Sequence, residues 1–65
     1  MDIWINEQRL NLPDGATVAE ALARIEARPP YAVAVNATFV PRSRHDEHRL
    51  REGDRVELVE PMQGG

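Results

Sequence analysis

The 65-residue chain predicts an α+β fold, a mixed sheet of four to five strands laid on one helix in the order strand, strand, helix, strand, strand, strand. Three observations lead there. Apolar and polar residues alternate over 1–6 and again over 9–12, the period of strands with one buried face. A capping sequence at Thr17 then opens a single stretch of helical periodicity, and two consecutive prolines close it. Beyond the prolines, period-2 runs return at 31–36, 38–40 and 55–60.

In the first run Met1, Ile3 and Ile5 share one face, while Asp2, Trp4 and Asn6 share the other. Asn6-Glu7-Gln8 turns the chain, and Arg9-Leu10-Asn11-Leu12 completes a hairpin that adds Leu10 and Leu12 to the apolar face. Pro13-Asp14-Gly15 stops this second strand. Thr17-Val18-Ala19-Glu20 fits the capping box, and Val18, Ala21, Leu22 and Ile25 follow as one stripe at helical spacing. The helix is expected to run about ten residues, to the stop at Pro29-Pro30, and a helix that short persists only by packing its stripe on the sheet. In the third run Val33 and Val35 point inward, with the small Ala32 and Ala34 outward. Asn36-Ala37 forms a turn into Thr38-Phe39-Val40, whose closing Pro41 suits an edge strand. From Ser43 to Arg51 only Leu50 looks like an anchor. Val56 and Leu58 of the last run face the helix, Glu57 and Val59 face away, and Pro61 ends the ladder.

The long connection before the last strand allows it to lie beside the first and parallel to it, which is the β-grasp arrangement. One domain over 1–61 then carries a flexible tail, 62–65, leaving from a strand in the middle of the sheet.

Composition narrows the function. A domain this small buries only about 60% of the surface its unfolded chain exposes, so it supports a carrier or binding module better than an enzymatic cleft. Net charge is −3, from eight basic and eleven acidic side chains, which disfavours nucleic acid. There is no cysteine, hence no disulfide, no thiolate nucleophile and no Cys-based zinc site. All the basic residues are arginine, so the chain cannot form polymers of itself through lysine. Five of them, Arg42, Arg44, Arg49, Arg51 and Arg55, are interleaved with Asp46, Glu47, Glu52 and Asp54, a pattern expected to make a solvated, ion-paired surface. With neither a signal-peptide pattern nor a membrane-length apolar run, a cytoplasmic protein without a membrane partner is expected.

The chemistry-bearing stretch is Pro61-Met62-Gln63-Gly64-Gly65. Two residues without Cβ let a backbone pass through a narrow channel, and the Gly65 carboxylate, ionised at neutral pH, is then able to attack the α-phosphate of a nucleotide held by a partner. Other candidates are weaker. His45-Asp46-Glu47-His48 has the spacing of a metal pair, but without a third ligand it reads as a hydrophilic loop of solvated side chains and no metal is expected. Ser43 has no base placed beside it by any sequence pattern. Trp4 falls on the face away from the helix, where it either contacts a partner or is partly covered by neighbouring side chains.

Val33-Ala34-Val35-Asn36, Phe39-Val40-Pro41-Arg42-Ser43, Leu50 with Gly53-Asp54-Arg55-Val56-Glu57, and the terminal Pro61-Met62-Gln63-Gly64-Gly65 together resemble the ThiS family, the small sulfur carriers of thiamine biosynthesis. Asn36-Ala37-Thr38 departs from the pattern, where a glycine is expected after the asparagine. The resemblance implies that a ThiF-like, ATP-dependent adenylating enzyme activates the C-terminal glycine, that a persulfide donor converts it to a thiocarboxylate, and that thiazole synthase takes the sulfur. By position Gly65 is the sulfur-bearing residue, and Met62, Gln63 and Gly64 thread into the partner with it. ATP belongs to the partner, and this chain holds no cofactor stably and acts as co-substrate. A carrier for another pathway, such as the small subunit of molybdopterin synthase, and a ubiquitin-like protein modifier share the same tail. The sheet face away from the helix, with Trp4, Ala32, Ala34 and Val59, is the expected docking surface.

Overall fold

The computed structural model describes residues 1–60. The elements are β1 (Asp2–Ile5), β2 (Gln8–Asn11), α1 (Val18–Arg24), β3 (Ala32–Val35), β4 (Thr38–Val40), a 3-10 turn over Arg42–Arg44, and β5 (Arg55–Val59). The strands form one sheet in the order β2-β1-β5-β3-β4. β5 is central, parallel to β1 through Trp4↔Arg55 and Ile5↔Val56, and antiparallel to β3 from Ala32↔Val59 to Val35↔Val56. This is the β-grasp arrangement anticipated from the element order, with β4 on an edge.

Alternation sorts the side chains as the sequence predicts. Ile3, Ile5, Val33, Val35, Val40 and Val56 are buried on the inner face, where they meet Val18, Ala21 and Leu22 of α1. Leu12, Ala16 and Leu50 close the core, while Ile25, Leu10 and Leu58 pack against its margin.

The helix starts where expected: Thr17 Oγ1 accepts from the Glu20 amide at 3.2 Å. Its end differs. α1 stops at Arg24, well before Pro29-Pro30, because the Glu26 amide donates to Ala23 O and the Ala27 amide to Leu22 O, a Schellman termination with Glu26 at φ 56. The expected ten residues are seven. Two prolines mark the limit of a helix, but the helix ended sooner because a local cap satisfied its last carbonyls.

Asn36-Ala37, the two-residue loop between β3 and β4, has both residues at positive φ, 50 and 69. That is the combination of a type I′ hairpin, for which Asn-Gly is the favoured pair. Alanine in the second place therefore holds a conformation in which its Cβ crowds the carbonyl.

The segment before β5 departs most from expectation. His45, anticipated as solvated, is only 6% exposed. Its Nε2 lies 3.1 Å from Val40 O, and its ring stacks on Tyr31 at 6.1 Å between centroids. The segment also serves the start of α1: the Val18 amide donates to His48 O, the Ala19 amide to His45 O, and the Leu50 amide to Ala16 O. These backbone bonds, with Leu50 buried, pin a polar stretch that has no periodicity of its own. Nor is the stretch ion-paired. The salt bridges among the described residues are Arg9 to Asp2 and the Met1 amine to Asp14, and neither touches the arginines of residues 42–55.

Candidate functional site: the outer sheet face and the root of the tail

Residues paired across neighbouring strands share a face, so the register maps the outer surface directly. One row runs Arg9, Trp4, Arg55, from β2 across β1 to β5. A second runs Glu57, Ala34, Phe39, from β5 across β3 to β4, and a third pairs Val59 with Ala32. The third row lies at the end of β5 from which the chain continues toward Pro61, and the second at its middle. The first lies at its beginning.

The four residues expected to form one docking surface are thus placed in two groups. Ala32 and Val59, the latter 59% exposed, pair at the C-terminal end of β5, with Ala34 next to them over its middle. Trp4, 40% exposed, stands beside Arg55 at the other end, over a shallow recess lined by Asn6, Glu7 and Arg55. Along β5 the Trp4 level is two residues, about 7 Å at strand rise, from that of Ala34, and four residues, about 13 Å, from that of Ala32 and Val59.

Sequence reasoning missed Phe39. It is the most exposed large apolar residue among those described, at 63%, and its partner in register is Ala34. The alternation of β4 carried the signal, since buried Val40 implies an outward Phe39, but three residues make a weak period.

Two asparagines hold β5 in position. Where β1 turns away, Asn6 Oδ1 accepts from the Leu58 amide at 3.0 Å and Nδ2 donates to Leu58 O at 3.4 Å, so a side-chain amide continues the ladder. Where β3 turns away, Asn36 Oδ1 accepts from the Arg55 amide at 3.0 Å and Nδ2 donates to Asp54 Oδ1 at 2.9 Å. β5 is thereby anchored near both ends by groups outside the regular ladder, and the chain leaves it from a firmly held base. On β1 and β2, Arg9 donates to the Asp2 carboxylate and Asn11 Nδ2 donates to it at 2.8 Å. The hydrogen bond from Arg9, then that from Asn11, holds the Asp2 carboxyl below its ordinary value.

Met62, Gln63, Gly64 and Gly65 lie outside the described residues. Among the described residues no three His, Cys, Asp or Glu side chains converge as metal ligands, and His45 turns its Nε2 to a backbone carbonyl. No helix of the described residues is long and apolar enough to cross a membrane.

Comparison with known proteins bears on the whole chain. A 33% identity over 66 residues relates it to the sulfur carrier protein ThiS of Escherichia coli strain K12, covering both chains completely. The molybdopterin synthase sulfur carrier subunit of Chlamydomonas reinhardtii is 34% identical over 67 residues, spanning 94% of this chain and 81% of that one. The crystal structure of the thiamine biosynthesis protein ThiS from Geobacter metallireducens superposes with a TM-score of 0.82 at 23% identity, each chain fully covered. The solution structure of a thiamine biosynthesis protein from the same organism gives 0.80, covering 88% of its chain. At that identity the structural likeness speaks for the fold alone. The sequence model of the ThiS family, however, matches residues 3–65, from the first buried isoleucine through the terminal glycines. With a β-grasp body and a full-length relative above 30% identity, the chain belongs to the ThiS family.

Proposed function

We propose that this protein is a cytoplasmic sulfur carrier for formation of the thiazole moiety of thiamine, with the Gly65 carboxylate as its working group. The observation that carries the reading is the family match running through Gly64 and Gly65, on a chain whose last described strand is the centre of the sheet. The folded body then serves as a handle and the tail as the substrate, and no side chain of this protein acts as a catalyst.

A carboxylate resists attack until it has a leaving group. A ThiF-like partner supplies one from ATP: a Gly65 oxygen attacks the α-phosphorus, pyrophosphate departs, and an acyl adenylate forms. A persulfide sulfur then displaces AMP at the carbonyl carbon, and a thiol cleaves the resulting acyl disulfide to leave the thiocarboxylate. Thiazole synthase receives that sulfur. Met62, Gln63 and Gly64 lead the terminus into each partner, and the lack of Cβ on Gly64 suits a narrow channel. The outer sheet face, including Trp4, Ala32, Ala34 and Val59, is the docking surface.

Intact mass spectrometry tests the reading after incubation with the adenylating enzyme, ATP and a persulfide donor. Wild type should exchange one oxygen for sulfur. Deletion of Gly65 should abolish the exchange and leave the melting temperature unchanged; conversion of that variant at the wild-type rate would sink the proposal. The Chlamydomonas relative favours a second reading, a carrier for molybdopterin synthase. Offering the thiocarboxylated protein to thiazole synthase and to the large subunit of molybdopterin synthase decides between them by which one consumes the sulfur.

A further inference from the structure

Activation of Gly65 exposes the chain to a side reaction. Any primary amine with a free lone pair attacks an acyl adenylate: nitrogen bonds to the carbonyl carbon, AMP leaves with the carbon–oxygen electron pair, the nitrogen gives a proton to solvent, and the terminus ends as an amide that carries no sulfur. None of the eight basic side chains offers such a lone pair, because all are arginine, whose guanidinium stays protonated. The Met1 amine is then the remaining primary amine. It donates to Leu12 O at 2.6 Å and lies 3.5 Å from Asp14 Oδ1, on a residue whose side chain is 5% exposed. Topology also sets it far from the tail. Trp4 pairs with Arg55 in the parallel ladder and the Gly53 amide donates to Asp2 O, which puts Met1 level with position 52. Eight residues of strand rise, about 26 Å, separate that level from Glu60, whereas residues 61–65 fully extended span at most about 17 to 18 Å.

We propose that the fold closes this chain to acylation by its own activated terminus, reserving the Gly65 acyl group for a sulfur nucleophile. The inference rests on the carrier reading above and adds how amide formation, the outcome that makes a protein modifier, is excluded within the chain and between its copies. Within one chain the tail falls short of the amine by roughly 8 Å. Between copies distance is no barrier, and the engagement of the amine opposes reaction instead: an ammonium that donates to a carbonyl and faces the Asp14 carboxylate has no lone pair with which to attack. Arginine in place of lysine matters most at Arg42. Val33 pairs with both Val40 and Leu58, so Arg42, exposed and two residues beyond Val40, stands at the end of the sheet from which residues 61–65 continue. Its strand lies two strand spacings, about 10 Å, from β5. A lysine there would lie inside the reach of the tail.

The test uses the full chain with Gly65 converted to a thioester of a small thiol, held folded at mildly alkaline pH and followed by intact mass. Added hydroxylamine should convert the wild-type thioester to a hydroxamate, which shows the acyl group open to amines. Without hydroxylamine, wild type should give the free acid and no amide. Arg42→Lys, at an unchanged melting temperature, should form an internal amide, read as the mass of the acid less one water, at a rate about tenfold or more above any amide formation in wild type. Amide in wild type, cyclic or between copies, overturns the inference, as does an Arg42→Lys chain that forms none or a wild type that resists hydroxylamine. Thiocarboxylate formation with the adenylating enzyme, ATP and a persulfide donor tests the carrier reading separately. Its absence there removes that reading and the inference with it, whereas its presence alongside amide in wild type leaves the carrier reading standing without the inference.

Discussion

On its helix side the sheet buries six aliphatic residues, Ile3, Ile5, Val33, Val35, Val40 and Val56, at no more than 5% exposure each, while on its other side Phe39, Val59 and Trp4 stand 63%, 59% and 40% exposed. The same strands carry both sets at alternate positions. Apolar area removed from water stabilises a fold, and apolar area left in water does not. The inner face therefore holds the domain together, and the outer face is free to be chosen for contact with partners. In so small a domain the separation matters, because stability of roughly 5 to 15 kcal/mol leaves little margin for compromise between the two uses.

The comparison breaks most readily at the core. Leu22→Ala should cost about 2 to 5 kcal/mol in denaturant unfolding, because the deleted methyl groups leave a cavity against the sheet. Val59→Asp, on the outer face, should change stability by no more than about 0.5 kcal/mol yet weaken binding to the adenylating enzyme in titration calorimetry. Equal losses of stability from the two substitutions would mean the faces are not divided as described.

A smaller effect is expected at the clamps that belong to neither face. Asn36→Ala removes the bonds to the Arg55 amide and the Asp54 carboxylate and leaves a non-glycine residue at φ 50 without its amide. A cost of about 1 to 3 kcal/mol follows, read as a lower denaturant midpoint. If the midpoint holds, the regular ladder alone positions β5.

Ala37→Gly acts in the opposite direction. With Ala37 at φ 69, removing its Cβ should relieve crowding and raise stability by about 1 kcal/mol, visible as a higher melting temperature. Such a gain would show that part of the stability is set by backbone conformation at a turn, independent of either face.

The smallest effect concerns the Arg9–Asp2 ion pair of the outer face. Hydrogen bonding from Arg9 and Asn11 lowers the Asp2 pKa in the folded protein, so the pair's contribution is complete above the ordinary carboxylate range and is lost as pH falls from about 4 through the depressed folded value. Arg9→Gln should make melting temperature less sensitive to pH in that acid window and change it little at neutral pH. An unaltered pH profile would mean the pair contributes nothing to stability, the usual result for exposed pairs.

The parts legible in the sequence are those that local chemistry controls. Period-2 alternation sorted β1, β3 and β5 into inner and outer residues because successive Cβ atoms must point to opposite faces. Thr17 announced the helix start, since its hydroxyl reaches an amide only three residues away. The terminal Gly64-Gly65 pointed to a working end on the chemistry of a bare backbone and a carboxylate, the reading proposed above for residues that lie outside the described ones.

Tertiary structure decided what depends on residues far apart in the chain. The burial of His45 and, among the described residues, the absence of ion pairs along its segment come from bonds and packing that no spacing encodes. Neighbourhood on the outer face is of the same kind. Ala32 meets Val59 and Ala34 meets Phe39 through strand register, while Trp4 is carried to the other end of β5 by the parallel pairing of β1. A strand's alternation tells which side of the sheet a residue takes. Its neighbours across the sheet are set by how turns and core packing align one strand with the next, and that alignment exists only in the folded chain.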